Sequence, residues 1–270
     1  MEEVQLKYKE EELRLLEGFR LLDDNFMTIV FDRNIEATEF LLNTILERND
    51  MKVIEVVAQR EYKSPITGGR SITLDIYAED SEGKVYDIEV QRADEGADVH
   101  RARFHSSMLD SKLLKEKQKF KEIHDSYVIF ITENDYMKLG LPMYHVERTV
   151  QEAGTLFGDG SHIIYVNGSY KNDNDPVGKL MHDFRCTSAA DMFYQELADP
   201  VRHFKETEGG RSQVCKAVEE FSEKIAVERA NEEKNLIAVK MLKAGKYALE
   251  EISNLTGLTL LEVQDLQRTL

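Results

Sequence analysis

The stretch Leu74–Gln91, LDIYAEDSEGKVYDIEVQ, constrains this chain more than any other. Two strand-forming runs flank a turn at Glu82-Gly83-Lys84, which predicts a β-hairpin. Val85–Gln91 alternates strictly, so Tyr86, Ile88 and Val90 face one way and Asp87, Glu89 and Gln91 the other. Asp75 sits on the first strand. Carboxylates brought close by adjacent strands make a hard-oxygen site for a divalent cation, and such a site can hydrolyse a phosphodiester. Glu89 lies between two apolar residues on a strand that reads as buried, and an unpaired buried carboxylate costs several kcal/mol by rough estimate. It therefore needs a metal or a partner such as Arg101 or Arg103. Asp75 taken alone also reads as a solvated strand-end carboxylate, and Asp87 reads either as a carboxylate supporting the metal ligands from outside or, preferred, as an exposed edge residue.

Composition bounds the alternatives. Hydrophobic residues make up 41% of the 270 positions and charged residues 32%, enough for a globular core with a heavily charged surface. No apolar run reaches the roughly 18 residues of a membrane span. The charged start MEEVQLKYKEEELRLLEG lacks a signal-peptide core, so a cytoplasmic protein is expected. Cys186 and Cys215 are far apart in sequence and are expected as buried free thiols. The net charge of −16 opposes nonspecific coating of nucleic acid, whose affinity comes from phosphate neutralisation. Locally the balance reverses. Arg101, Arg103, Lys112, Lys115, Lys117, Lys119 and Lys121 face only Asp110 and Glu116. This run reads either as a phosphate-facing surface or as a solvated helix face.

Along the chain, a charged helix is expected over about Glu2–Glu17 and an amphipathic helix from the Asp32-Arg33-Asn34 cap to Leu46. Strands are expected at Val53–Gln59, Ser71–Ala78, Lys84–Gln91, Ser126–Thr132, His145–Glu152 and His162–Asn167. A helix should occupy Val99 to about Glu116. Beyond Val177 the pattern turns helical, with a long charged helix from Gly210 to near Ala244 and a helix-turn-helix-like unit around Thr256-Gly257-Leu258. The expected division is an α/β domain over residues 1–205 and a helical extension over 206–270. The histidines show no HxxxH or HxH spacing, and His182-Asp183 reads as a packed histidine with a cap.

The helix FDRNIEATEFLLNTIL, the pair LDIYAED and YDIEVQ, the helix start HRARFHSSMLDSKLL and the strand DSYVIFIT together resemble the PD-(D/E)XK nuclease superfamily. Within it they resemble most the Rpn-type recombination-promoting nucleases and transposase-like proteins, over roughly residues 20–200. The resemblance implies a restriction-endonuclease-like fold: a mixed central sheet flanked by helices, with a helical C-terminal tail. It implies a metal-dependent DNA endonuclease, linked to recombination or mobile elements and often dimeric. By position it makes Asp75 and Glu89 ligands of Mg²⁺ or Mn²⁺, with the Val90 carbonyl completing the site. Gln91 stands where the family usually has lysine, and would position water. Arg101, with His105 one turn on, would contact the phosphate, and Glu36 or Glu39 would add a helix-borne carboxylate, Glu36 preferred; both also read as plain helix-surface charges. The other class of function is a catalytically inactive nucleic-acid-associated or protein-interaction module of the same fold, favoured by Gln91 and the acidic net charge.

Overall fold

The structure is a computed structural model that describes residues 14–64, 69–92, 94–268 and 270. The expected N-terminal helix therefore falls mostly outside the described residues, although 14–18 are helical. Most of the Pro/Gly loop, 65–68, lies outside them too. The chain divides into two compact units, Met1–Lys63 with Ser71–Cys215, and Ser64–Arg70 with Lys216–Leu270.

The first unit is built on a six-stranded mixed sheet. Its strands are β1 (Val53–Tyr62), β2 (Ile72–Asp80), β3 (Val85–Gln91), β4 (Ser126–Thr132), β5 (Met143–Val146) and β8 (Ser161–Asn167), in the order β1-β2-β3-β4-β8-β5. The hairpin β2–β3 is antiparallel, and β3, β4 and β8 run parallel. Its turn follows from two residues. Gly83 takes a φ of +79°, which only glycine adopts freely. The Asp80 carboxylate accepts from the amides of Glu82 and Lys84 at 2.9 and 3.0 Å.

The expected strand at His145–Glu152 is in fact two. Met143–Val146 pairs with β8 at the sheet edge, whereas β6 (Thr149–Val150) pairs with β7 (Thr155–Leu156) in a separate ribbon.

Helix α3 (Val99–Leu113), capped by Asp98, packs across β4 and β8. Beneath it lies a core of Tyr77, Val85, Ala102, Leu109, Val128, Phe130 and Tyr165. Helices α1 (Asp24–Phe31) and α2 (Ile35–Ile45) pack on β1, and α1 also contacts β2 and β3. Helix α1 has no counterpart in the sequence expectations. Helices α4 (Pro176–Arg185) and α5 (Gln195–Glu206) follow the sheet. Asp183, wholly buried, accepts from the amides of Phe193 and Tyr194 at 2.8 Å each, so the His182-Asp183 pair serves as a cap. Cys186 and Cys215 are only half-buried, where the sequence suggests buried thiols.

The second unit contains most of the long helix α6 (Glu208–Ala244), with α7 (Leu249–Thr256) and α8 (Leu260–Arg268). Its small core is Ala238, Ile252, Leu258 and Val263, and Gly257, at φ +73°, ends α7 as a left-handed cap. Among the described residues no helix is long and apolar enough to cross a membrane.

One bond anchors the turn that follows β3. The Tyr165 hydroxyl donates to the Ala97 carbonyl at 2.9 Å, fixing the 3₁₀ turn Asp94–Ala97 that follows β3. Tyr165→Phe removes one buried hydrogen bond without a cavity, so a loss of about 1 kcal/mol is expected. Urea unfolding checks it, through a lowered midpoint at unchanged slope.

Candidate active site

Asp75 and Glu89 do meet. The register of the hairpin, Ile76 against Ile88 and Tyr77 against Asp87, sets them opposite each other on the face under α3. Ordinary ladder bonding is replaced there by the side chains. The Asp75 amide donates to Glu89 Oε1 at 3.0 Å, and the Val90 amide donates to Asp75 Oδ2 at 3.2 Å. Each carboxylate thus holds the backbone beside the other. The neighbouring strand yields at the same level. Gln59, between the paired residues Ala58 and Arg60 of β1, takes a φ of +53°, unusual for a residue with a side chain.

Glu89 and Asp87 are 0% exposed, His105 3% and Asp75 7%. The expectation of an exposed Asp87 is corrected: β3 is an interior strand between β2 and β4, and α3 covers the face Asp87 points to. Its Oδ2 meets His105 Nδ1 at 2.8 Å, while its Oδ1 is buried and, among the described residues, has no hydrogen-bond partner. Arg101 enters from the solvent side, 38% exposed, and donates from a terminal nitrogen to Glu89 Oε2 at 2.7 Å. Its Nε lies 3.4 Å from His105 Nε2. Arg101 is therefore the partner that a buried Glu89 requires.

The helix-borne carboxylate beside this group is Asp24, at the start of α1, and not Glu36. The negative charge of Asp24 raises Asp75, and Arg101 acts on Asp24 in turn. A network places this helix end. Arg92, just past β3, pairs with Asp23 at 2.9 Å and with Glu133 at 3.1 Å, and Arg20 pairs with Glu133 at 2.9 Å. Buried Lys205 holds the preceding chain by donating to the Glu17 and Phe19 carbonyls.

Glu36 and Glu39 are on α2, where they line a surface cavity of about 770 Å³ with Glu47, Asp175, Glu196 and Phe40. None of the cluster residues lines that cavity. Glu39 is also engaged by Lys52 at 2.7 Å and by the Val53 amide at 3.1 Å. A cavity with so many carboxylates repels a phosphodiester. Gln91 continues the acid face of β3, its amide oxygen packed against Gly96, where a β-carbon would collide with it.

The electrostatics follow from crowding. Burial, then the charges of Glu89, Asp24 and Asp87, raise Asp75 well above the usual carboxylate range. Burial pushes Asp87 up to about 7, opposed by its contact with Glu89 and by Arg101. Burial and the charge of Asp87 push Glu89 up to about 8, opposed by His105 and Arg101. Burial raises all three carboxyls, and the charge of each neighbour opposes their ionising together. Acids raised in the fold bind protons more tightly folded than unfolded. Their stabilisation is complete below the unfolded values near 4 and is lost as pH rises through about 7–8. The metal-free protein should thus lose roughly a few kcal/mol between pH 5 and pH 8.5. A scan of melting temperature against pH in EDTA checks this; stability rising over that range would contradict it.

Such a cluster fits a divalent cation: converging oxygen donors, mutual repulsion with one partly exposed arginine as counter-charge, and one buried oxygen left unbonded. Donor atoms of Asp87, Glu89 and His105 lie within 4.8 Å of one another. A family model for PD-(D/E)XK nuclease family transposases matches residues 31–172, more than half of the chain. The chain belongs to this family. The match contains Asp75, Asp87, Glu89, Gln91, Arg101 and His105, and the observed mixed sheet with flanking helices agrees with its fold. It starts after Asp24, which sequence reading missed; Asp24 followed by Phe26, Met27, Val30 and Phe31 at helical spacing was the available signal. No curated protein and no solved structure matches the chain.

Proposed function

We propose that this family member is a metal-dependent endonuclease that hydrolyses DNA phosphodiester bonds, in recombination or at mobile elements. The observation that carries this reading is the reciprocal bonding of Asp75 and Glu89 across splayed strands. It presents carboxylate oxygens with their lone pairs only partly used. Asp75 and Glu89, with the Val90 carbonyl, would hold Mg²⁺ or Mn²⁺. When bound, such an ion polarises a phosphoryl oxygen and lowers the pKa of coordinated water.

The chain's own groups do the rest. Arg101, partly exposed and already beside Glu89, turns to the scissile phosphate and steadies its developing charge. Gln91 orients the attacking water through its amide, which can donate and accept but carries no charge. Asp24 adds a carboxylate from α1. Exposed Lys112, Lys115, Lys117, Lys119 and Lys121 offset the net charge of −16 where a DNA backbone approaches. Two copies of the chain would supply the two sites needed to cut both strands, acting in the cytoplasm.

The second reading is a catalytically silent nucleic-acid-associated or protein-interaction module of the same fold, favoured by Gln91 at the lysine place and by the net charge. Mg²⁺ titration followed by thermal melting separates the two. The nuclease reading expects Mg²⁺ to raise the melting temperature of the wild type and not of Asp75→Ala. Equal shifts in both, or no shift in either, remove its basis.

A further inference from the structure

We infer that Asp87, Glu89 and His105 form a second, deeper cation site, built for a first-row transition ion such as Mn²⁺ and serving to lock α3 onto β3. Three observations carry it. The donor atoms converge: His105 Nδ1 lies 2.8 Å from Asp87 Oδ2 and 3.8 Å from Glu89 Oε1. Ligand atoms about 2.1 Å from a shared ion sit roughly 3–3.5 Å apart, so the spacing already brackets a coordination shell. Asp87 Oδ1 is fully buried without a hydrogen-bond partner among the described residues, although buried acceptors are almost always satisfied. The donors also span two elements, β3 and α3, and are shielded from solvent.

The donor set decides the ion class. Two carboxylates and an imidazole suit Mn²⁺, Fe²⁺ or Zn²⁺, whereas Mg²⁺ prefers oxygen alone and keeps several waters. Uptake moves the imidazole proton from Nδ1 to Nε2. The Arg101 contact there is long, 3.4 Å, so little is lost when it parts. The role is structural, because the three donors are at most 3% exposed, whereas a scissile phosphate has to be reached from solvent. The inference rests on the nuclease reading only through Glu89, which serves both ions.

Pulsed electron paramagnetic resonance of the Mn²⁺-loaded full chain tests it, because a coordinated imidazole imprints ¹⁴N modulation on the Mn²⁺ signal. The deep site predicts nitrogen modulation in wild type, its persistence in Asp75→Asn, and its loss in His105→Gln with Mn²⁺ still bound at the outer position. Modulation that shifts on ¹⁵N-histidine labelling of wild type secures the assignment without any variant. Mn²⁺ bound without nitrogen modulation overturns the deep site and leaves the nuclease reading standing. Modulation lost in both variants also overturns it, since one ion then spans Asp75 and His105. Absence of any bound Mn²⁺ overturns both.

Discussion

Glu89→Gln should lower plasmid nicking by about 10³-fold or more while leaving the protein folded. A bound ion contributes several kcal/mol of transition-state stabilisation, and each 1.4 kcal/mol is about tenfold in rate. Glutamine keeps an oxygen for the Asp75 amide but loses the charge that holds a cation. It also turns an NH₂ group toward the Arg101 nitrogen that now lies 2.7 Å from Glu89 Oε2. Fold stability should not follow activity down. The substitution removes a buried charge that repels Asp87 and Asp75, so metal-free stability at pH 8 should change by no more than about 1 kcal/mol in either direction. Single-turnover nicking beside a melting curve reads both quantities. A variant that has unfolded, or one that nicks at the wild-type rate, contradicts the assignment.

Arg101→Ala should cost about 10²–10³-fold in rate, the usual consequence of losing one donor aimed at developing charge. It should also destabilise the metal-free protein. Removing one partner of a buried pair leaves the other uncompensated, but Arg101 is 38% exposed, so about 1–2 kcal/mol is expected, below the range for a fully buried pair. Mg²⁺ should recover most of that stability and none of the rate. Arg101→Lys restores the charge but not the planar fork that reaches Glu89 and His105 together, so it should rescue stability more than rate. Nicking rates at saturating DNA, with and without the lysine variant, distinguish loss of chemistry from loss of binding.

These expectations depend on features of unequal legibility in the sequence. The hairpin, β4 over Ser126–Thr132 and the start of α3 at Val99 were readable because their signals are local: alternation, a Gly83 turn and an Asp98 cap. The pairing of Asp75 with Glu89 follows from the same alternation once the turn is placed. The burial of Asp87 does not. It depends on β3 lying parallel to β4 with α3 across both, a tertiary fact that no window of β3 contains. Helix α1 escaped because it is eight residues long and Asp23 makes no side-chain cap bond, so the usual start signal is weak. With it goes Asp24, which leaves Glu36 and Glu39 as the helix-borne carboxylates the sequence offers. The bend at Gln59 has no glycine to announce it.

The Asp75–Glu89 edge is proposed above as a metal-dependent phosphodiesterase centre. Its most direct test is nicking of supercoiled plasmid by the full chain in Mg²⁺, in Mn²⁺ and in EDTA, with Asp75→Asn alongside. The wild type should nick with either ion and not in EDTA, and Asp75→Asn should not nick. Nicking that survives EDTA, or that Asp75→Asn performs as well as the wild type, would contradict it.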